Sequence, residues 1–146
     1  MTVALATIRT DVYTTIYNHL QTGTYAITSN NIYPSYNDLQ LAQNGYPQII
    51  ISPITISEDT ISMGDNSLYN AKVNVMISIW HNSAANVRVV ADEVHNKLRT
   101  GRSVLNFVGL KDITYDNDDF ESIPYGQKKT TYIYRISFSA RYIGNT

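Results

Sequence analysis

The stretch from Leu68 to Thr100 constrains the fold most. In Lys72-Val73-Asn74-Val75-Met76-Ile77-Ser78-Ile79-Trp80, Val73, Val75, Ile77 and Ile79 fall on one face, with Lys72, Asn74 and Ser78 on the other. That period of two is the pattern of a strand with one buried face. His81-Asn82-Ser83 follows, and from Ala84 to Leu98 the apolar residues Val87, Val90, Ala91, Val94 and Leu98 recur at helical spacing. A long strand that runs almost directly into an amphipathic helix points to a small α+β domain.

The rest of the chain fits that class. From Thr2 to Leu20 the residues Leu5, Ile8, Val12, Ile16 and Leu20 form an apolar stripe, and Gly23 supplies a stop. Residues 24–47 are turn-rich (Ser29-Asn30-Asn31, Pro34-Ser35-Tyr36-Asn37-Asp38, Asn44-Gly45), with Ile32 and Tyr33 as an anchor in the middle. A connection of that length is usually functional or mobile. Gln48–Ser52 reads as a short apolar strand ended by Pro53, Ile54–Met63 as a weaker second strand with Glu58-Asp59 in a turn, and Gly64-Asp65-Asn66-Ser67 as a turn. Thr100-Gly101 caps the second helix. Val104–Tyr115 offers one or two short strands broken at Gly109, Asp116–Pro124 reads as an acidic loop, and Lys129–Ile143 alternates as the last strand. The expectation is a single domain over residues 1–146: a mainly antiparallel sheet of about four to five strands with two helices on one face.

Composition narrows the function. The 146 residues carry a net charge of −1 from 11 basic and 12 acidic side chains, which does not fit a general nucleic-acid binder. Charged residues are only 16% of the chain, and twelve tyrosines stand against three phenylalanines. Tyrosine favours both strands and interfaces. No cysteine is present, which removes disulfides, thiol nucleophiles and thiolate metal sites. Met1-Thr2-Val3-Ala4 lacks the features of a signal peptide, and no apolar run approaches the ~20 residues that span a bilayer. A soluble protein starting at its natural N-terminus is expected.

Searches for chemistry return little. His19, His81 and His95 show no metal-binding spacing and read as surface residues. Asp92-Glu93 points in two directions on a helix and reads as a solvated face. The densest acidic cluster is Asp112, Asp116, Asp118, Asp119 and Glu121; as a calcium loop it lacks the glycine at position six and the glutamate at position twelve. No nucleophile elbow, phosphate-cradling glycine loop or Ser-x-x-Lys motif is present. The chain is therefore read as a non-enzyme with no cofactor and no metal. Trp80 shares a strand face with Met76 and Ser78 and reads as semi-buried or, at an edge, as an interface anchor.

The order of segments resembles one family. Asn31-Ile32-Tyr33-Pro34 precedes Tyr46-Pro47-Gln48-Ile49-Ile50-Ile51, then the strand Ala71–Trp80, then the helical Ala91-Asp92-Glu93-Val94-His95-Asn96-Lys97-Leu98. This is similar to the tail-terminator (tail-completion, minor tail or neck) proteins of long-tailed bacteriophages, over roughly residues 1–100; beyond that only the strand pattern agrees. The resemblance implies a homo-oligomeric, usually hexameric ring that caps the tail tube, stops its polymerisation and offers a docking surface to the head. Its implied partners are copies of itself, the major tail tube protein and a head-closure or connector protein. DNA would pass through the lumen without specific binding. The implied location is the virion tail or neck, after assembly in the host cytoplasm. Other neck proteins are the nearest alternative, followed by a small-ligand-binding α+β module. Residues 24–47 and 116–128 are the expected rearranging loops. Asp116, Asp118, Asp119 and Glu121 are expected to face the lumen or tube, with Tyr125, Lys128 and Trp80 as further interface residues.

Overall fold

A computed structural model describes residues 5–21, 31–33, 47–59, 70–101, 110–124 and 130–143. In chain order the elements are α1 (Leu5–Leu20), β1 (Ile32–Tyr33), β2 (Gln48–Ile51), β3 (Thr55–Asp59), β4 (Asn70–His81), α2 (Ala84–Thr100), β5 (Leu110–Pro124) and β6 (Thr130–Ile143). The fold is α+β. The strands form a six-stranded sheet in the order β1-β2-β4-β6-β5, with β3 also on β4. Every pairing is antiparallel except β1 with β2.

The β4 alternation sorts the sheet into two faces. Val73, Val75, Ile77 and Ile79 are buried and sit opposite Ala140, Phe138, Ile136 and Tyr134 of β6. On the other side of β4, Ile49 and Ile51 of β2 lie opposite Ile79 and Ile77, and Ile56 of β3 opposite Val73. Thus β2 and β3, in succession, share one side of the same long strand. The hydrogen bond from the Ser52 N–H to the Met76 carbonyl at 3.0 Å carries the ladder across the gap between them.

Both helices cover this face. Ile8, Val12, Ile16 and Leu20 of α1 join Val87, Val90, Ala91, Val94 and Leu98 of α2 and the strand residues in one core cluster. Each such side chain is worth roughly 1.5–3 kcal/mol when fully buried. Packing on this scale offsets the β-branched residues that weaken α1. Tyr13 and Tyr17 stack one turn apart on α1, with ring centres 6.2 Å apart. At the start of α2, Ser83 has extended backbone (φ −131°) and its hydroxyl accepts the Asn86 N–H, the usual remedy for an orphan helix donor.

Several expectations need correction. Ile32-Tyr33 is buried as an anchor should be, but as a strand of the sheet, which brings the count to six. Glu58-Asp59 lies at the end of β3, paired with Ala71 and Asn70, instead of in a turn. The acidic loop at Asp116–Pro124 and the Leu110–Tyr115 part of the short strands expected before it form one continuous 15-residue strand, β5, while residues 104–109 lie outside the described residues. Residues 116–124 are therefore not a rearranging loop: the ladder with β6 runs unbroken from Asn117 to Pro124.

Gly101 closes α2, though not through a left-handed backbone. Its φ is −85°, and its N–H bonds the Lys97 carbonyl at 2.9 Å. Glycine is needed there for space, because an added Cβ would collide with Nε2 of His19 and lie 2.6 Å from Cδ2. The expected features at Gly23, Gly64–Ser67 and Gly109 lie outside the described residues, as do residues 24–30 and 34–46 of the long connection and Tyr125 and Lys128.

Candidate functional site

None of the three histidines is a plain surface residue. The His19 Nε2 donates to the Lys97 carbonyl at 2.7 Å, and the Lys97 ammonium donates back to the Leu20 carbonyl at 2.8 Å. This reciprocal pair ties the C-terminal ends of α1 and α2 together. A cation near both helix ends also suits their dipoles. Burial lowers the Lys97 pKa from its ordinary value, and nearby Glu93 opposes that shift. His95 stacks on Tyr115 of β5 at 4.5 Å between ring centres. Its Nε2 is buried and meets no hydrogen-bond partner among the described residues.

His81 stands at the junction of β4 and α2. Its Nδ1 lies 2.9 Å from the Asn82 side-chain oxygen and 3.2 Å from the Ser83 N–H. The neutral ring with a bare Nδ1 accepts from Ser83; the protonated ring donates to Asn82 instead. Burial lowers the His81 pKa below 6.5, with the Asn82 contact opposing it.

The acidic side chains of β5 are divided by the pleat. Asp118 pairs with Ile136 and so lies on the helix-covered face, where its carboxylate accepts the Tyr134 hydroxyl at 3.2 Å. Burial, and then the Asp118 charge, hold the Tyr134 pKa above its ordinary value. Asp119 and Glu121 pair with Arg135 and Ile133 and lie on the face away from the helices. Both reach the same Arg135 guanidinium, at 3.2 and 2.8 Å. Asp116 sits in a bulge and accepts the Ser139 hydroxyl at 3.2 Å. The structure therefore brings Asp119 and Glu121 together and sends Asp118 to the opposite face. Trp80 is half-buried on the face away from the helices, between Gln48 and Ile133, which are both fully buried.

Two features of this edge escaped the sequence reading. Phe120 of β5 is 41% exposed; it stacks on Tyr132 (6.0 Å), meets Tyr134 edge-on (6.4 Å) and has the Arg88 guanidinium of α2 over its ring at 5.8 Å. Aromatic rings with arginine are the side chains that dominate binding hot spots. Across the face away from the helices, Lys72, Arg141 and Lys111 stand directly opposite one another on β4, β6 and β5, all exposed. Only the register reveals this row, since the three residues are distant in sequence.

Among the described residues no three His, Asp or Glu side chains come together as metal ligands, and no helix is long and apolar enough to cross a membrane. An open groove of about 580 Å³ lies between α1 and the segment after β2, lined by Arg9, Thr10, Tyr13, Pro53 and Ile54. Arg9, Thr10 and Tyr13 are its polar contribution.

No protein-family model matches the chain, and no curated protein sequence does. Among solved structures, a chain from the virion of a native gene transfer agent particle is similar, with 14% identity and a TM-score of 0.58. The alignment covers 88% of this chain and 92% of that one, so the two share one fold over nearly their whole lengths.

Proposed function

We propose that this protein is a structural component of a phage-type virion, and specifically a ring-forming tail terminator that caps the tail tube, stops its growth and presents a surface to the head. The observation that carries the reading is the whole-length fold similarity to a chain of a gene transfer agent virion. The segment order around Tyr33-Pro34, Pro47, the β4 strand and α2 supports it independently. So does the open β5 edge, where charge and aromatic side chains are arranged for contact. In this role the protein acts by binding: copies of itself, the tube protein and a head-side connector are the partners, and the virion neck is the location.

The similar structure belongs to a whole particle, which also favours a second reading, a head-closure or connector subunit of the same neck. Both are tested by adding purified protein to a polymerising tail tube protein, and imaging the products by negative stain. A terminator shortens the tubes and sits as a ring at one end. A head-side connector leaves tube length unchanged and decorates portal complexes instead. Protein that binds neither refutes the virion reading.

A further inference from the structure

The two ends of β5 carry opposite charge on exposed surfaces. From Asp116 to Pro124 there are four carboxylates and no lysine or arginine, a charge of −4 in a chain whose total is −1, so the remainder carries +3. At the other end of the same strand the Lys72–Arg141–Lys111 row lies across three strands. The Asp112 carboxylate reaches Arg141 at 3.5 Å. Like charges placed directly opposite in a sheet are unfavourable, which favours a negative surface set against the row. At the acidic end one guanidinium, Arg135, serves both Asp119 and Glu121. Within that stretch Phe120 is exposed under Arg88.

We propose that these two ends dock on each other between copies of this chain, the Asn117–Pro124 edge with Phe120 at its centre meeting the Lys72–Arg141–Lys111 row of the next copy. The contact deepens the ring reading, on which it rests for closure. The occupant follows from charge: the acidic edge needs a positive surface, and the rest of the same chain supplies one. The contact is head-to-tail. A two-fold pairing of the regular Asn117–Pro124 segment with itself would set carboxylate against carboxylate, and one along the whole of β5 would set that segment against the other copy's bulged segment. Bulges lie between Lys111 and Thr114 and between Tyr115 and Asn117, and Asp112 has a positive φ of 53°. Such irregularities obstruct edge pairing. A head-to-tail contact joins different patches and closes into a ring when its rotation permits.

The test is the mass of the full-length chain by light scattering and native mass spectrometry over a range of protein and salt concentrations. Wild type is expected to form a closed oligomer larger than a dimer, weakened by salt. Lys72→Glu with Lys111→Glu, Asp118→Lys with Glu121→Lys, and Phe120→Asp should each raise the assembly midpoint by about tenfold or more. All these side chains are exposed, and circular dichroism verifies that the variants stay folded. The four charge reversals combined in one chain should restore assembly. A wild type that stays monomeric, a simple dimer, indifference to the reversals, or a combined variant no better than its halves would each overturn the proposal. A ring that forms by this contact but ignores tail tubes refutes the terminator reading alone; a ring that caps tubes whatever the state of these residues refutes this contact alone.

Discussion

Gly101→Ala isolates the tie between the two helices. The backbone at Gly101 suits any residue, at φ −85° and ψ 11°. Alanine should therefore gain the roughly 0.4–1 kcal/mol that replacing glycine removes from unfolded-chain entropy. Against this, the new Cβ would meet the His19 ring, 2.6 Å from Cδ2 and 3.0 Å from Cε1. Overpacking a tight site costs about 1–3 kcal/mol. Displacing the ring also breaks the 2.7 Å bond to the Lys97 carbonyl, worth about 0.5–1.5 kcal/mol. That carbonyl keeps the Gly101 N–H and the Thr100 hydroxyl, so it is not left bare. The net loss is about 2 kcal/mol, a fall in Tm of roughly 6 °C for a domain of this size. With His19 already replaced by alanine the obstruction is gone, and Gly101→Ala should become neutral or stabilising by up to about 1 kcal/mol. Urea unfolding followed by far-ultraviolet circular dichroism, run as a double-mutant cycle, reads both values. A Gly101→Ala penalty that persists in the His19→Ala background would refute the steric argument and return the glycine to a conformational role.

Three further outcomes follow from the fold. Ile77→Asp, between Ile51 and Ile136 at the centre of the sheet, places a bare charge at a fully buried position and should abolish folding, at a cost above about 4 kcal/mol; a soluble, cooperatively melting variant would overturn the β4 face assignment. His81 has a folded pKa below 6.5, so the unfolded chain binds more protons between the two values; stability should fall as pH drops below 6.5, and His81→Gln should flatten the Tm-against-pH curve there. Lys72→Glu converts a like-charge contact with Arg141 into an attractive one and should stabilise the isolated subunit by about 0.2–1 kcal/mol in urea, an effect that shrinks in high salt.

How much of this was readable beforehand depended on whether a segment buries one face. In β4 and α2 the inward positions are apolar apart from Lys97 and the periods are intact, so Val73, Val75, Ile77, Ile79, Val87, Val90, Val94 and Leu98 could be assigned to the core directly. In β5 that signal vanishes for physical reasons. As an edge strand it exposes Asp118 and Phe120 on one face and Asp119 and Glu121 on the other, so no hydrophobic alternation remains. Its two bulges interrupt the period as well. Acidic residues and asparagine then looked like a loop. Ile32-Tyr33 was visible as apolar but too short to show a period, and its parallel pairing with Ile49-Ile50 is a tertiary fact. Among the candidate site residues, the acidic group was found by composition. Its division between two faces, and the cationic row across three strands, required the register.

The bulges carry one more consequence. Fifteen residues of β5, Leu110 to Pro124, run alongside thirteen of β6, Thr130 to Tyr142. The two surplus residues add roughly 7 Å of contour to the outermost strand at about 3.4 Å each. A margin longer than the strip it borders cannot lie flat, so this rim of the sheet must bow, as a ruffled hem does. The surplus lies wholly on the Lys111 side of Asn117, and the remaining eight residues match β6 one for one. The rim is therefore a curved section joined to a straight rail, and a rigid neighbour can follow only the rail along its length.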